Sequence, residues 1–402
     1  MLKRRLGPIL ERRLKPLRIG VNALYLIPGA VGGTEIYLRS LLLALADIDP
    51  VNRYFIFTNA ETGEGIVPAQ PNFHDAPQRV PARIRPARIL WEQIVLPVAA
   101  AKKRLDVLLN PGFTSPAICV CPTVTVFHDL QHKRHPEHFR WFDLPFWRLL
   151  LYGAAHRSTL LIADSEATKT DLLKFYKIRN DKIRVIELGV DPAFFSIGKR
   201  IHDRREDQAP YLLTVSTLHP HKNLNRLLHA FAIFHRSRPE FRLVIAGLRG
   251  FHAENLEKLR ASLGIEDAVR FTGWIPREEL YDLFAEANAF LYPSTFEGFG
   301  MPLLEAFAAG LPTACSNIEP LASIAGDAAV TFDPADTSAI HDAMVRIASD
   351  QALRDRLSAA GPARASQFSW ERSARLTLET LCGAARAPAQ NKKGPENSGP
   401  VE

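Results

Sequence analysis

YPSTFEGFGMPLLEAFAAG, residues 292–310, places a strand end, a loop and a helix start in direct succession. The apolar run 289–292 stops at Tyr292, a Ser/Gly-rich loop follows, and Pro302 stands where a first helical residue belongs, because its fixed φ suits that position and its missing N–H is not needed there. A strand feeding a helix through a short loop is half of a parallel crossover unit. Moving outward, the same unit recurs: strands are expected at 211–215, 242–246 and 269–271, with helices at 223–235, 254–263, 278–285 and from 302. In the first half, short β-rich runs at 18–22, 54–58, 107–110, 124–127, 160–163 and 183–187 each lead into loop or helix signals. The pattern lapses in the charged, proline-terminated stretch before 211. The fold class is therefore α/β, with two Rossmann-like halves. The expected divisions are a basic tail at 1–16, a first domain at 17–195, a linker at 196–210, a second domain at 211–368, a last amphipathic helix at 369–386 and a polar, Pro/Gly-rich tail at 387–402. Open α/β sheets bind ligands beyond the carboxyl ends of their strands, so two such sheets facing one another would place a site in the cleft between them.

Composition agrees with a folded chain of two or three domains: 402 residues, 47% hydrophobic and 23% charged. The net charge of +7 favours phosphates, anionic lipid or nucleic acid without choosing among them. No apolar run approaches the roughly 18 residues that span a bilayer. The basic start has no continuous apolar core and no small-residue cleavage site, so it reads as retained and the protein as cytoplasmic. The cysteines Cys119, Cys121, Cys315 and Cys382 fit neither a zinc knuckle nor a C-x-x-C, and are expected to be reduced and buried.

The amides of Gly300, Met301 and Leu303 fall at the expected helix start, where unpaired donors and the helix dipole favour a phosphate. Glu297 in the loop and Glu305 one turn into the helix can both accept hydrogen bonds from vicinal hydroxyls. A Gly-rich turn with a solvated Glu would give the same pattern. In STLHPHKNLNRLLHAF, residues 216–231, Lys222 precedes a helix and suits a diphosphate, while Ser216 and Thr217 can donate to one. A surface Lys before a helix capped by Asn223 is the plain alternative. Gly32 and Gly33, in GAVGGTEIYLRSLL after the first strand, allow close backbone approach, and Thr34 can cap the next helix. This is neither a GxGxxG fingerprint nor a P-loop, which argues against dehydrogenases and P-loop ATPases. His128 ends the strand at 124–127 and would point into the cleft, or pair structurally with Asp129. His132, His135 and His138 are irregularly spaced for a metal, and Asp47 to Asp49 lies at a helix end before Pro50.

Together these residues resemble family 4 of the retaining glycosyltransferases, which have the GT-B fold of two facing Rossmann-like domains with an interdomain cleft. The resemblance spans about 17–381 and rests chiefly on EGFGMPLLE, in which Glu297 and Glu305 are separated by seven residues, with TLHPHKN, the Gly32-Gly33 turn and HDL at 128–130 in support. It implies that Lys222 stabilises a nucleotide-diphosphate sugar donor, that Glu297 holds sugar hydroxyls and Glu305 the ribose, and that His128 contacts the transferred sugar. Gly32, Gly33, Ser216, Thr217, His221, Gly298, Phe299, Gly300, Met301, Pro302 and Leu303 complete the implied donor site. The resemblance also implies that no cofactor or metal is needed, consistent with a cation and a helix end doing a metal's work. Where the family often carries Arg beside the Lys, this chain has His221, only partly charged near neutral pH. The stretches RILWEQIVLP, DVLLNPGFTSP, ADSEATKTDLLKFY and KIRVIELGVDPAFF look like the branch of bacterial polysaccharide mannosyltransferases, which points to GDP-mannose.

The expected acceptor is a cell-surface or lipid-linked glycan, with no nucleic-acid partner. Lys3, Arg4, Arg5, Arg12, Arg13 and Lys15, interleaved with leucines, could touch an anionic membrane at its inner face, or form a solvated tail, since Pro8 interrupts any helix. Arg79, Arg83, Arg85 and Arg88 are expected in a Pro-punctuated loop of the first domain, and Phe139, Trp141, Phe142, Phe146 and Trp147 form an aromatic segment; either could meet a lipid carrier or glycan, although such aromatics are more often core. A nucleotide-sugar epimerase, or a non-catalytic polyanion-binding module, are the rival readings.

Overall fold

A computed structural model describes residues 15–29, 32–139, 141, 143–197 and 209–387. The basic tail at 1–14, most of the expected linker and residues 388–402 lie outside the described residues. The first sheet joins β1 (Arg18–Asn22), β2 (Arg53–Phe57), β3 (Phe73–Asp75), β4 (Val107–Asn110), β5 (Thr123–Phe127), β6 (Leu160–Ala163) and β7 (Ile183–Val185) in the order β3-β2-β1-β4-β5-β6-β7. Its helices are α1 (Gly33–Ile48), α2 (Arg85–Lys102), α3 (Gln131–Arg134), α4 (Leu144–Arg157) and α5 (Glu166–Tyr176), while the short α6 (Ala193–Ile197) that follows packs on the second domain through Phe194 against Tyr281 and Phe284. The second sheet joins β8 (Tyr211–Val215), β9 (Arg242–Ala246), β10 (Val269–Gly273), β11 (Ala289–Tyr292), β12 (Thr313–Ser316) and β13 (Val330–Phe332) in the order β10-β9-β8-β11-β12-β13. With it come α7 (Leu224–Ser237), α8 (Ala253–Ser262), α9 (Arg277–Glu286), α10 (Met301–Ala308), α11 (Leu321–Ala325), α12 (Thr337–Ser349), α13 (Gln351–Ala365) and α14 (Trp370–Arg386).

Every strand pairing is parallel. Helices therefore cover both faces, which is why central strands such as VLLN of β4 and TVTVF of β5 are buried at every residue. In both sheets the strand order reverses, between β1 and β4 and between β8 and β11. Those are the switch points at which adjoining crossover connections run in opposite directions and leave a crevice at the strands' carboxyl ends.

Three strands escaped the sequence pattern. β3 is a three-residue edge strand among prolines, β13 is as short, and β12 is TACS, whose polar residues are fully buried. Arg85 and Arg88 lie inside α2 rather than in a loop, because Pro86 is tolerated in the first helical turn. Asn223 precedes α7 in a left-handed conformation but does not cap it; its amide donates to the carbonyls of Pro293 and Pro334. Nor does Thr34 cap α1, which already begins at Gly33. Asp49 serves the fold, accepting from the Tyr54 hydroxyl at 2.6 Å. In the aromatic segment Trp141 is 83% exposed and Phe146 is also exposed, while Phe139 and Trp147 are half-buried, so these four are not core; Phe142 lies outside the described residues. All four cysteines are free, and Cys119 and Cys382 are half-buried rather than buried.

The last helix, α14, crosses back onto the first domain and packs on α1, β4, β5 and β6. Gly189 permits this, since a Cβ there would lie 2.2 Å from the Trp370 nitrogen. Ser369 caps α14 by accepting from the Arg372 amide, and the Ser373 hydroxyl donates to the Glu187 carbonyl at 2.5 Å. Among the described residues no helix is long and apolar enough to cross a membrane.

Candidate active site

The loops that leave β8 and β11 meet at the second domain's switch point. Lys222 Nζ lies 2.7 Å from Glu297 Oε1 and 3.4 Å from the Tyr292 hydroxyl, with the two charged side chains only 13% and 9% exposed. The expected diphosphate ligand and the expected sugar ligand are thus paired with each other. Behind them, Ser216 Oγ is buried without a hydrogen-bond partner, so a donor entering this loop would find an unused hydroxyl. Gly247, at the end of β9, approaches the Ser216 carbonyl so closely that a Cβ would lie 2.2 Å from it. Gly300, at φ 111°, precedes α10, with Pro302 in the first turn; the Leu303 amide is already bonded to the Gly300 carbonyl, which leaves fewer free donors than the sequence implied.

Glu305 is buried, facing Arg277 at 3.6 Å. Arg277 also bonds Asp191 at 3.0 Å, and the Tyr281 hydroxyl donates to Asp191 at 2.6 Å. Burial raises the Glu305 pKa, and Arg277 offsets part of that rise.

The first domain closes over this assembly. A Cβ on Gly298 would lie 1.8 Å from the His128 carbonyl oxygen, and the Gly298 carbonyl accepts from Ser165 Oγ at 2.6 Å. A Cβ on Gly33 would lie 3.0 Å from the Met301 methyl, whereas Gly32, at φ 59°, has open space around it. Gln131 donates its amide to His221 Nδ1 at 2.8 Å, bridging the domains. His128, Lys222, His221, Glu297, Gly298, Met301 and Gly33 are therefore brought together across one cleft, with Glu305 beneath its floor.

His128 pairs with Asp164, not with Asp129. Its Nδ1 lies 2.6 Å from Asp164 Oδ2 and its Nε2 2.9 Å from the Pro111 carbonyl. Both partners offer acceptor oxygens, an arrangement that favours the ring with a proton on each nitrogen. Burial works against that charge, but the Asp164 carboxylate and the Pro111 carbonyl outweigh it and raise the His128 pKa. A pKa raised on folding gives stability that is complete below the ordinary value of 6.5 and lost as pH rises through the raised one. Asp164→Asn is expected to cost about 3 kcal/mol at pH 6, and the gap between wild type and variant should narrow as pH rises. Denaturant melts from pH 5.5 to 9 measure this, and a gap that stays constant refutes the charged pair.

Sequence reading missed Asp164, Ser165, Gln131, Gly247 and Arg277. Asp164, Ser165 and Gly247 directly follow strands, so a survey of every strand's carboxyl end would have found them. A cavity lined by Tyr211, Arg242 and Val269 lies at the opposite ends of β8 to β10 and holds none of these residues.

Two family models match this chain, Glycosyltransferase Family 4 over residues 31–194 and Glycosyl transferases group 1 over residues 199–364. O-antigen chain mannosyltransferase B of Escherichia coli is 30% identical over 261 residues, 63% of this chain and 68% of that protein. The chain belongs to glycosyltransferase family 4. A second relative, the serotype-specific mannosyltransferase WbdA of Escherichia coli, is 26% identical over 288 residues, and the alignment spans only 35% of its length. Among solved structures, Anabaena HepE with UDP and glucose aligns over 91% of this chain and 99% of its own at TM-score 0.71 and 19% identity. WaaG, of lipopolysaccharide biosynthesis, aligns over 91% and 100% at TM-score 0.72 and 18% identity. This glycosyltransferase therefore has the GT-B fold, with the paired loops of its second domain facing the first across the cleft.

Proposed function

We propose that the enzyme moves a hexosyl group, mannose by preference, from a nucleotide-diphosphate sugar to a polysaccharide or lipid-linked glycan, with retention at the anomeric carbon. The observation that carries this is the Lys222–Glu297 pair, 2.7 Å apart at the second domain's switch point and covered by the first domain. A donor would exchange the pair for two better-matched contacts: its diphosphate on Lys222 and on the amides opening α10, its sugar hydroxyls on Glu297. In the transfer, the bond from the anomeric carbon to the phosphate oxygen breaks with its electron pair on the phosphate. The acceptor oxygen bonds the same carbon from the same face, and its proton passes to the departing phosphate. Lys222 and the helix end stabilise the negative charge that develops there, the work a metal does in other transferases. His128 would reach the sugar by exchanging the Pro111 carbonyl for a sugar hydroxyl, and Glu305 would meet the ribose once Arg277 yields. The mannosyltransferase relatives, one of them acting on an O-antigen chain, support mannose and a polysaccharide acceptor; GDP as the nucleotide and the inner membrane face as the place of work are part of the proposal.

A thermal-shift panel of GDP, UDP and ADP with their sugar conjugates, without added metal, tests the reading. GDP ligands at a hundredfold their dissociation constant should add about 2.7 kcal/mol of stability, lost in Glu305→Ala. A response to UDP alone would overturn the mannose assignment, and no response to any nucleotide would overturn the donor cleft.

A further inference from the structure

Of the fifteen large apolar side chains exposed among the described residues, ten belong to one layer of the first domain. Leu90, Ile94 and Val98 recur every four residues along α2, with Ile84 just before it. Ile118 and Val120 stand on the loop after β4, which is tied to α2 because Gln93 bonds both the Ser115 carbonyl and the Ala117 amide. Phe146, Leu149 and Tyr152 line the outer side of α4, with Trp141 ahead of it.

The strand pairings show that these stripes face the same way. Leu108 pairs with Thr123, and Thr125 with Leu161, so Leu108, Phe127 and Leu161 lie on one face of the sheet. Leu96 and Ala100 of α2 pack in the cluster that contains Leu108, and Leu151 and Ala154 of α4 in the cluster that contains Phe127 and Leu161. The two helices therefore lie side by side on that face, joined where the Arg85 guanidinium sits 5.2 Å over the Trp147 ring. In each helix the exposed stripe is opposite the buried one, so both stripes point outward from the same layer.

Charge identifies the occupant. Residues 84–104, 111–122 and 141–157 contain two acids, Glu92, which is buried, and Asp143, half-buried just before α4. Exposed cations border the stripe instead, Arg83 and Arg85 at one end of α2 and Lys102, Lys103 and Arg104 at the other. A second copy across a two-fold axis would set this cationic border against itself, whereas anionic headgroups complement it while the aliphatic and aromatic side chains enter the acyl boundary.

We propose that the α2–α4 layer of the first domain is a docking face for an anionic bilayer. This deepens the reading of a membrane-borne acceptor, but it stands on a surface separate from the donor site, so the two can fail independently. The full chain should co-sediment with phosphatidylglycerol/phosphatidylethanolamine vesicles and not with phosphatidylcholine vesicles, with binding falling at high salt. Leu90→Gln/Ile94→Gln/Val98→Gln should weaken vesicle binding at least tenfold, and Phe146→Gln/Leu149→Gln should also weaken it, while both variants keep the wild-type nucleotide-induced thermal shift. Deleting residues 2–16 should leave at least half of the binding. Vesicle binding that survives the triple substitution but not the deletion would assign docking to the tail and overturn the proposal. So would a wild-type dimer, seen by light scattering, that the triple substitution converts to monomer. Loss of the nucleotide response in the wild type would instead overturn the donor reading and leave the docking result standing.

Discussion

Gly298→Ala is expected to lower sugar-nucleotide turnover by two to three orders of magnitude while leaving the fold intact. The added methyl would sit 1.8 Å from the His128 carbonyl oxygen and 3.0 Å from Asp129 Cβ, and the first obstacle is backbone at the end of a fully buried strand. Normal non-bonded contact then requires the donor loop to withdraw from the first domain by about 1.5 Å. Misplacement on that scale costs on the order of a hundredfold in rate, and losing the Ser165 and Thr168 bonds to the Gly298 carbonyl adds to it. Neither core contains Gly298, so the unfolding midpoint should stay near wild type. Ser165→Ala, which removes the bond to the Gly298 carbonyl and the cap of α5 at the Thr168 amide but adds no clash, serves as the control and should lose less than tenfold in turnover, the effect of about 1 kcal/mol for the bond across the cleft. Steady-state turnover with the sugar nucleotide selected by thermal shift decides the matter, and a Gly298→Ala enzyme within tenfold of wild type would show that closure at this point is not required.

Lys222→Ala should act on stability and on chemistry at once. It leaves the Glu297 carboxylate, 9% exposed, with the Tyr292 hydroxyl as a hydrogen-bond partner but without its cation. Removing one partner of such a pair costs about 3 kcal/mol, and removing the charge that meets the departing diphosphate should cost roughly a thousandfold in turnover. The two effects separate in the double variant Lys222→Ala/Glu297→Ala. With no carboxylate left uncompensated, most of the stability should return, while activity should not. A coupling energy below about 0.5 kcal/mol in that double-mutant cycle would mean that the two side chains do not act as a unit.

The two parallel sheets were legible because strands covered on both faces announce themselves as apolar runs, and the site was legible because its glycines and its lysine sit in the loops that leave them. Contacts made between elements were not legible. Asp129 adjoins His128 in sequence, but neighbouring residues of extended chain point to opposite sides, and the partner proved to be Asp164 at the end of the adjacent β6. The period of α14 shows that one side of it is buried without saying in which domain. The aromatic segment from Phe139 to Trp147 has the composition of core, yet Trp141 and Phe146 are exposed. Arg277 and Asp191 lie 86 residues apart, and no local pattern links them.

The return of α14 to the first domain means that the polypeptide passes between the domains twice. The passes touch, with the Val190 amide 3.3 Å from the Phe368 carbonyl and Gly189 against the backbone of Trp370. Two bodies joined by a single tether can rotate about any axis, whereas two tethers laid side by side act as a short axle and leave one swing. Any opening of the cleft would then follow a single path, and closing along it would bring Gly298 back to His128 in the same alignment.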